Sequence, residues 1–565
     1  MYFVFADSVD RTILKSVSGK FRAGELSAIL GPSGAGKSSL LNAISGFTSK
    51  GISGSLLVNG QQRDEKLFRK LSCYITQEDM IQPMLTLQEV MMFAAELKLS
   101  GETTLKHKLQ LVHEIQSMLG LRECRRTRTE YLSGGQKKRL VVALELINNP
   151  PVIFLDEPTS GLDNVSTSQT LKLLRLLAHQ GRTIVCTIHQ PSASLFQLFD
   201  HVYVLAQGLC VYQGATTELV PFLASAGLHC PTHYNPADFV IEMTDGEEED
   251  HITLLAAATN NGKLSCFAKS KPDIPDLDIN GILATSILSY RKISEKHAES
   301  QMHSSWCVDF PTSSWSQFCT IWKRMMLQTF RNKVGLKIQF YHHLMCGLAV
   351  GIVFWNKFCM GVILFHTFTQ CMVPVLAFIK REYFNRWYSF KPYYFALSMI
   401  MFSMIFLSLV YFMSGLPVEM YRFFFFALIG IEVSLVAEGM GLFIGSVFNV
   451  TNGSAVGPLT IAPFLGLAIY GFDFAKEIHW AMNAVMKLSF LRCGVVGLVI
   501  VVFGMGRQPL QCDREMYCHF RNPRTMIYYL DLENTSPWEQ VFYLTMMLCI
   551  FRILVYVGLK QRLDT

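Results

Sequence analysis

Leu26-Ser27-Ala28-Ile29-Leu30-Gly31-Pro32-Ser33-Gly34-Ala35-Gly36-Lys37-Ser38-Ser39 joins a short apolar run of β character to a glycine-rich loop and the start of a helix-forming stretch. The loop fits the pattern GxxxxGK[ST] in the strand-to-helix setting that the pattern requires. Its glycines let backbone N–H groups turn inward around phosphates, Lys37 supplies a point charge for β and γ oxygens, and the Ser38 hydroxyl can ligate Mg²⁺. A helix beginning near Lys37 adds its positive dipole end. The stretch therefore predicts an α/β P-loop domain, with Gly31, Pro32, Ser33, Gly34, Ala35, Gly36, Lys37, Ser38 and Ser39 around a nucleotide's phosphates.

Downstream, Val152-Ile153-Phe154-Leu155-Asp156-Glu157 is a buried-strand pattern that ends in two carboxylates. Acidic pairs after strands often cap the next helix, but the distance of this pair behind the P-loop points to chemistry. Asp156 is expected to hold Mg²⁺ through water and Glu157 to polarise an attacking water, assistance that typically contributes about 10² to 10⁴-fold. Between the two motifs lies Leu132-Ser133-Gly134-Gly135-Gln136, followed by the basic helix former Lys137-Lys138-Arg139-Leu140. Ser133 reads as an N-cap, and the two glycines allow a phosphate to approach the backbone at a helix N-terminus. One chain thus carries two separate phosphate-binding helix starts.

These motifs resemble the ATP-binding cassette family, whose signature sequence is LSGGQ, and the remaining elements follow in the family's order. Gln77 in Tyr74-Ile75-Thr76-Gln77 matches the Q-loop, Ser160-Gly161-Leu162-Asp163 the D-loop, and His189 in Thr187-Ile188-His189-Gln190-Pro191-Ser192 the switch histidine. The resemblance implies that two such domains pair head to tail, with each ATP between the P-loop of one and Leu132, Ser133, Gly134, Gly135 and Gln136 of the other. It implies Mg²⁺ on Ser38, Gln77 and Asp156, catalysis by Glu157, His189 and Gln77, and a D-loop role for Asp163. With one P-loop and one LSGGQ, the chain is expected to be a half-transporter that works as a dimer.

The chain has 565 residues, about three or four domains' worth, and a formal charge of +6. Charged residues make up 17%, where an average soluble protein has about 25%. Disorder and a strongly basic nucleic-acid binder are thereby excluded. Hydrophobic residues reach 50% with a mean hydropathy of +0.28, and they are concentrated from Leu336 onward in runs long enough to cross a membrane. The N-terminus, with Asp7 and Asp10 close behind Met1 to Phe5, lacks the basic and long apolar regions of a signal peptide, so insertion should depend on the later helices. The 15 cysteines include no zinc-like spacing, and most are expected to be free thiols.

A spanning helix needs about 20 apolar residues. Runs of this kind are Leu336 to Trp355, Cys359 to Ile379, Phe395 to Met413, Phe423 to Phe448, Val456 to Phe472 and Val541 to Leu559. Six crossings place the basic clusters before the first, after the second and after the last on the cytosolic side. A seventh would send Lys560 and Arg562 outside, so Leu488 to Phe503 is expected to belong to a re-entrant hairpin. Three parts follow: a nucleotide-binding domain over 1–245, a flexible linker over 246–312 containing the acidic run Glu247-Glu248-Glu249-Asp250, and an all-α six-helix transmembrane domain over 313–565. The segment Gly504 to Gln540 falls outside. There Cys512 and Cys518 are disulfide candidates and Asn534 a glycosylation candidate, whereas the sequon at Asn449 should stay bare. Glu432 and Glu438, within the fourth run, read as groups in interhelical hydrogen bonds or near the membrane edge rather than as a paired-carboxylate site.

Asn235-Pro236-Ala237-Asp238-Phe239, and the order of nucleotide domain before membrane domain, resemble the white-type or G subfamily. The resemblance is nearest to its sterol- and lipid-exporting branch, on Phe21, Gly24, Glu25, Ala143-Leu144-Glu145-Leu146, Arg381-Glu382 and Trp387-Tyr388-Ser389. It implies an exporter or floppase of amphipathic lipid or sterol, with a second half-transporter as partner. The departures are a short second run and Val496 where the branch usually has glutamate. They keep open a regulatory half that needs another subunit, and export of pigment precursors or xenobiotics. The adenine-stacking residue is left unassigned.

Overall fold

The computed structural model describes residues 2–6, 13–48, 51–77, 81–245, 249–265, 310–333, 401–413, 416–448, 450–469, 480–509, 522–533 and 535–564, with scattered positions between 337 and 348. The second expected crossing, most of the first, Asn449, Cys512, Cys518 and Asn534 lie outside them. The described residues fall into two compact units, divided between Gln328 and Thr329.

In the first unit, β1 (Tyr2–Ala6), β2 (Ser18–Lys20), β4 (Ser53–Val58) and β5 (Gln61–Gln62) form an antiparallel sheet in the order β2-β1-β4-β5. A second sheet has the order β10-β9-β3-β8-β7-β6, from β3 (Leu26–Leu30), β6 (Ser72–Ile75), β7 (Val152–Leu155), β8 (Thr183–Thr187), β9 (His201–Ala206) and β10 (Leu209–Ala215). Only β9 and β10 pair antiparallel in it. Strands β3, β7 and β8 are buried nearly throughout, which explains their unbroken apolar runs: a parallel strand covered on both faces has no polar side to alternate with. Because β3, β8, β7 and β6 are neighbours running the same way, their C-terminal ends share one edge, where α/β sheets bind ligands.

The first unit extends beyond the expected boundary at residue 245. Helix Glu249–Ala258 is part of it, with Ile252, Leu255, Ala256 and Thr259 buried at helical spacing. Thr259 Oγ1 donates to the Cys210 carbonyl, and Asn261 Oδ1 accepts from the Cys210 amide. Glu249 and Asp250 of the acidic run thus open a helix, where negative charge meets the positive dipole end, and the expectation of a linker is corrected over 249–265. Helix Ser314–Arg331 also begins in this unit, with Gln317, Thr320, Ile321 and Arg324 buried.

The second unit is helical: Met401–Met413, Met420–Val447, Val450–Ile469, Trp480–Met486, Phe490–Phe503, Pro523–Tyr529 and Pro537–Asp564. Helices Met420–Val447, Val450–Ile469 and Pro537–Asp564 begin before the fourth, fifth and last expected runs, and the last also continues beyond its run to Asp564. Helices Met420–Val447 and Pro537–Asp564 run parallel, and their contacts recur about every seven residues. Phe425 meets Trp538 with ring centroids 4.9 Å apart, and Thr545 Oγ1 donates to Glu432 Oε1 at 3.0 Å. Further along, Arg552 lies 3.9 Å from Glu438, and Gly558 meets Ser446. A repeat of this length keeps two shallowly crossing helices in step. Glu432 thus makes an interhelical hydrogen bond, and Glu438 an interhelical ion pair.

Helix Phe490–Phe503 is enclosed by its neighbours, and at about 1.5 Å per residue it is near 21 Å long, short of an apolar core about 30 Å thick. It is bent by 91° from Trp480–Met486. Both of its ends are capped. Ser489 Oγ accepts from the Arg492 amide at one end. At the other, Arg422, 1% exposed, donates to the carbonyls of Val501, Gly504 and Met505, and Arg507 donates to Val502. These donors satisfy carbonyls that a helix terminus leaves unpaired.

Candidate functional site

The P-loop leaves β3 and enters helix Lys37–Ser45 through Gly36, whose φ of 99° is left-handed and suits glycine. A side chain at Gly31 would collide with the carbonyl of Leu205, so only glycine fits there. Lys37 Nζ donates to the carbonyls of Gly31 and Pro32 at 2.8 Å each, which holds the ammonium inside the arc of the loop. Burial pushes the Lys37 pKa below its ordinary value, against the pull of Glu157 and Asp156.

Asp156 follows β7, and its amide donates to the Ile75 carbonyl of β6 at 2.8 Å. Its Oδ1 accepts from Ser38 Oγ at 3.1 Å and from Thr187 Oγ1 at 2.6 Å, and its Oδ2 from Tyr74 Oη at 3.4 Å. Burial, followed by the negative charge of Asp156, raises the Tyr74 pKa, so this phenol remains a donor. Glu157 has a left-handed φ of 45°, and its Oε2 accepts from Gln77 Nε2 at 2.8 Å. The structure thus brings Lys37, Ser38, Gln77, Asp156 and Glu157 to one sheet edge. Neighbouring hydroxyl and carboxylate oxygens suit a hard cation, and Ser38 and Asp156 are the pair that would hold Mg²⁺. Gln77, expected as a third ligand, donates its amide nitrogen to Glu157, which leaves its amide oxygen as the atom that would meet the cation.

Leu132, Ser133, Gly134, Gly135 and Gln136 form a capped helix start. Ser133 Oγ accepts from the Gln136 amide at 3.3 Å, while Gln136 Oε1 accepts from the Ser133 amide at 3.0 Å. The signature is therefore also a capping box, a second reason for its Ser-x-x-Gln spacing. Gly134 and Gly135 lie against Leu162 and Ser166, beside the D-loop, leaving no room for a side chain at Gly135. Asp163 caps helix Asn164–His179 through Ser166, and hydrogen bonds from Ser166 hold its carboxyl below the usual range.

Lys138, one turn into the signature helix, donates from Nζ to the Gln77 carbonyl at 2.5 Å. The Q-loop and the signature of one chain are thus tied directly. Farther along the signature helix, Glu145 forms an ion pair of 2.6 Å with Lys98 at the end of helix Leu87–Lys98, both side chains 1% exposed, and Lys98 also donates to Leu144 O. His189 is exposed and lines a cavity of 550 Å³ with Thr159, Ser192, Asp238 and Glu242. It lies beyond β8, two residues past Thr187.

Thr187, Tyr74, Lys138 and Lys98 were not singled out by sequence. Each acts through a partner far along the chain, and the only local signal was the apolar strand around Tyr74 and Thr187.

The chain matches the family described as ABC transporter over residues 14–160 and that described as ABC-2 type transporter over residues 316–503; a further ABC-2 type transporter match covers 189–266. It is 31% identical to the mouse broad substrate specificity ATP-binding cassette transporter ABCG2, over 80% of this chain and 74% of that protein. It is 28% identical to ABC transporter G family member 21 of Arabidopsis thaliana, over 98% and 86%. To Protein white of Drosophila melanogaster it is 27% identical, over 97% and 83%.

Proposed function

Because the chain belongs to the G, or white-type, subfamily of ATP-binding cassette transporters, we propose that it is one half of an exporter that pairs with a second half and moves amphipathic lipid or sterol. The observation that carries the paired reading is the single P-loop and single LSGGQ in the chain. A partner's Ser133 and Gly134 would close each nucleotide against the P-loop. Within one copy, Lys37 and the loop amides hold the phosphates. When bound, Mg²⁺ would neutralise phosphate charge beside Ser38 and Asp156. Glu157 accepts a hydrogen bond from the attacking water, which adds to the γ phosphorus as the bond to the β-phosphate oxygen breaks and ADP leaves with the electron pair. His189 contacts the γ-phosphate, and Asp163 faces the second copy.

Six crossings with a re-entrant hairpin complete the reading. The parallel run of Met420–Val447 and Pro537–Asp564 supports it, because a single crossing between them, Val450–Ile469, leaves them parallel, whereas a second would make them antiparallel. The short, bent hairpin helix supports it as well. Sugar on Asn534 with none on Asn449, mapped by mass spectrometry, is the expected outcome; the opposite pattern overturns the topology.

The substrate class rests on the apolar helices and on the likeness to the lipid-exporting branch. The second reading, a half that requires a different subunit, is favoured by Val496, which is buried with Val495, Val499, Ile500 and Leu532 and offers no carboxylate. The test is flux of labelled sterol and phospholipid in vesicles reconstituted with the full chain and ATP. Native protein should move lipid, whereas Glu157→Gln should retain ATP and lose turnover by about 10³-fold. Undiminished hydrolysis by Glu157→Gln would end the catalytic assignment. Flux that appears only with an added second half would establish the obligate heterodimer.

A further inference from the structure

Thr187 stands at the end of β8, fully buried, directly beside the two carboxylates that end β7. One hydroxyl makes two hydrogen bonds there. Thr187 Oγ1 donates to Asp156 Oδ1 at 2.6 Å and accepts from the backbone amide of Glu157 at 2.8 Å. The amide it holds belongs to a residue in the left-handed region, a conformation that persists only where its surroundings impose it. Ser38 Oγ donates to the same carboxylate oxygen at 3.1 Å, so Asp156 is held between the P-loop helix and β8. Threonine suits this place because its branched side chain is stiff about χ1 and the hydroxyl is held in one direction.

We propose that Thr187 is a positioning residue for ATP hydrolysis, its single hydroxyl fixing both the Asp156 carboxylate and the backbone turn that aims Glu157. The inference rests on the reading that Glu157 polarises the attacking water. Thr187 acts through these two neighbours, Asp156 and the Glu157 amide. Without the hydroxyl, Asp156 loses its shortest hydrogen bond, and the amide of Glu157 loses the acceptor that pins the turn. Phosphate binding by the P-loop is left intact.

The separating experiment measures kcat, KM for ATP, nucleotide affinity and melting midpoint for the reconstituted full chain, with turnover normalised to the fraction that binds ATP. Thr187→Val, nearly the same shape without the hydroxyl, should lower kcat on the order of 10²-fold, the scale of a misplaced reacting group. KM and ATP affinity should stay within about twofold, the pattern of an interaction that matters only in the transition state. Thr187→Ser should recover most of the rate. Normal turnover by Thr187→Val beside an inactive Glu157→Gln would overturn the role of Thr187 alone. A Thr187→Ser protein as slow as Thr187→Val would also overturn it, because packing rather than the hydroxyl would then matter. Full turnover by Glu157→Gln would remove the underlying reading and this role with it.

Discussion

The two units of this chain use buried polar groups in opposite ways. At the ATP site, Asp156 gathers hydroxyls from Ser38, Tyr74 and Thr187. These bonds aim oxygens at a place where a reaction occurs. In the helical unit, Arg422 is more deeply buried than Asp156, but it is spent on the last carbonyls around the end of helix Phe490–Phe503. A hydrocarbon environment offers no water to free carbonyls, so that arrangement serves the fold itself. The difference teaches that a change in the first unit can stop chemistry without loosening structure, whereas a comparable change in the second loosens structure without touching chemistry.

The largest effect that sharpens this contrast is at Glu157. The Gln variant should lose about 10³-fold in turnover, about 4 kcal/mol of barrier, while its melting midpoint stays that of the native chain. A drop in melting temperature as severe as the loss of rate would break the comparison.

Arg422→Met comes next. It leaves the carbonyls of Gly504 and Met505 without their charged donor, a loss of about 3–4 kcal/mol. Melting should fall by on the order of 10 °C, while nucleotide affinity, read by a fluorescent ATP analogue on the protein that remains folded, should not move. Weakened ATP binding at unchanged melting would contradict the division of labour.

The smallest effect lies at His201 in the first unit, a residue with no part in the chemistry. Its ring is buried edge-on to Phe21, and burial, aided by the charge of Arg22, lowers its pKa to about 4. The folded state therefore keeps it neutral where the unfolded chain, with a pKa of about 6.5, takes up a proton. Between pH 6.5 and 4 the unfolded state binds more protons, so stability falls as pH falls, by up to about 3 kcal/mol across the window for a shift of this size. His201→Phe should flatten that part of the melting-versus-pH curve. Equal slopes for native and variant chains would show that His201 is not the group responsible.

Much of the first unit was legible because phosphate chemistry restricts residue types at short spacing. Gly31, Gly36, Lys37 and Ser38 occupy one loop, and Asp156 and Glu157 are adjacent, so both motifs could be read locally. The acidic run is less legible for a related reason. Its carboxylates suited a linker, and only the buried stripe of Ile252, Leu255 and Thr259 shows that Glu249 and Asp250 open a packed helix. Glu432 and Glu438 could be recognised as costly groups inside a helix, yet Thr545 and Arg552 as their partners could not be found by inspection.

By itself the sequence determined the P-loop domain, the order of its motifs and the apolar helical region behind it, since these rest on contacts between near neighbours in the chain. Tertiary structure decided that Thr187 meets Asp156 across 31 positions and that Arg422 meets Val501 across 79. It also set helices Met420–Val447 and Pro537–Asp564 parallel along a seven-residue seam. A hydroxyl or guanidinium can bond many partners, and apolar faces pack in many ways, so the choice among them falls to which strand ends and helix ends the fold brings together.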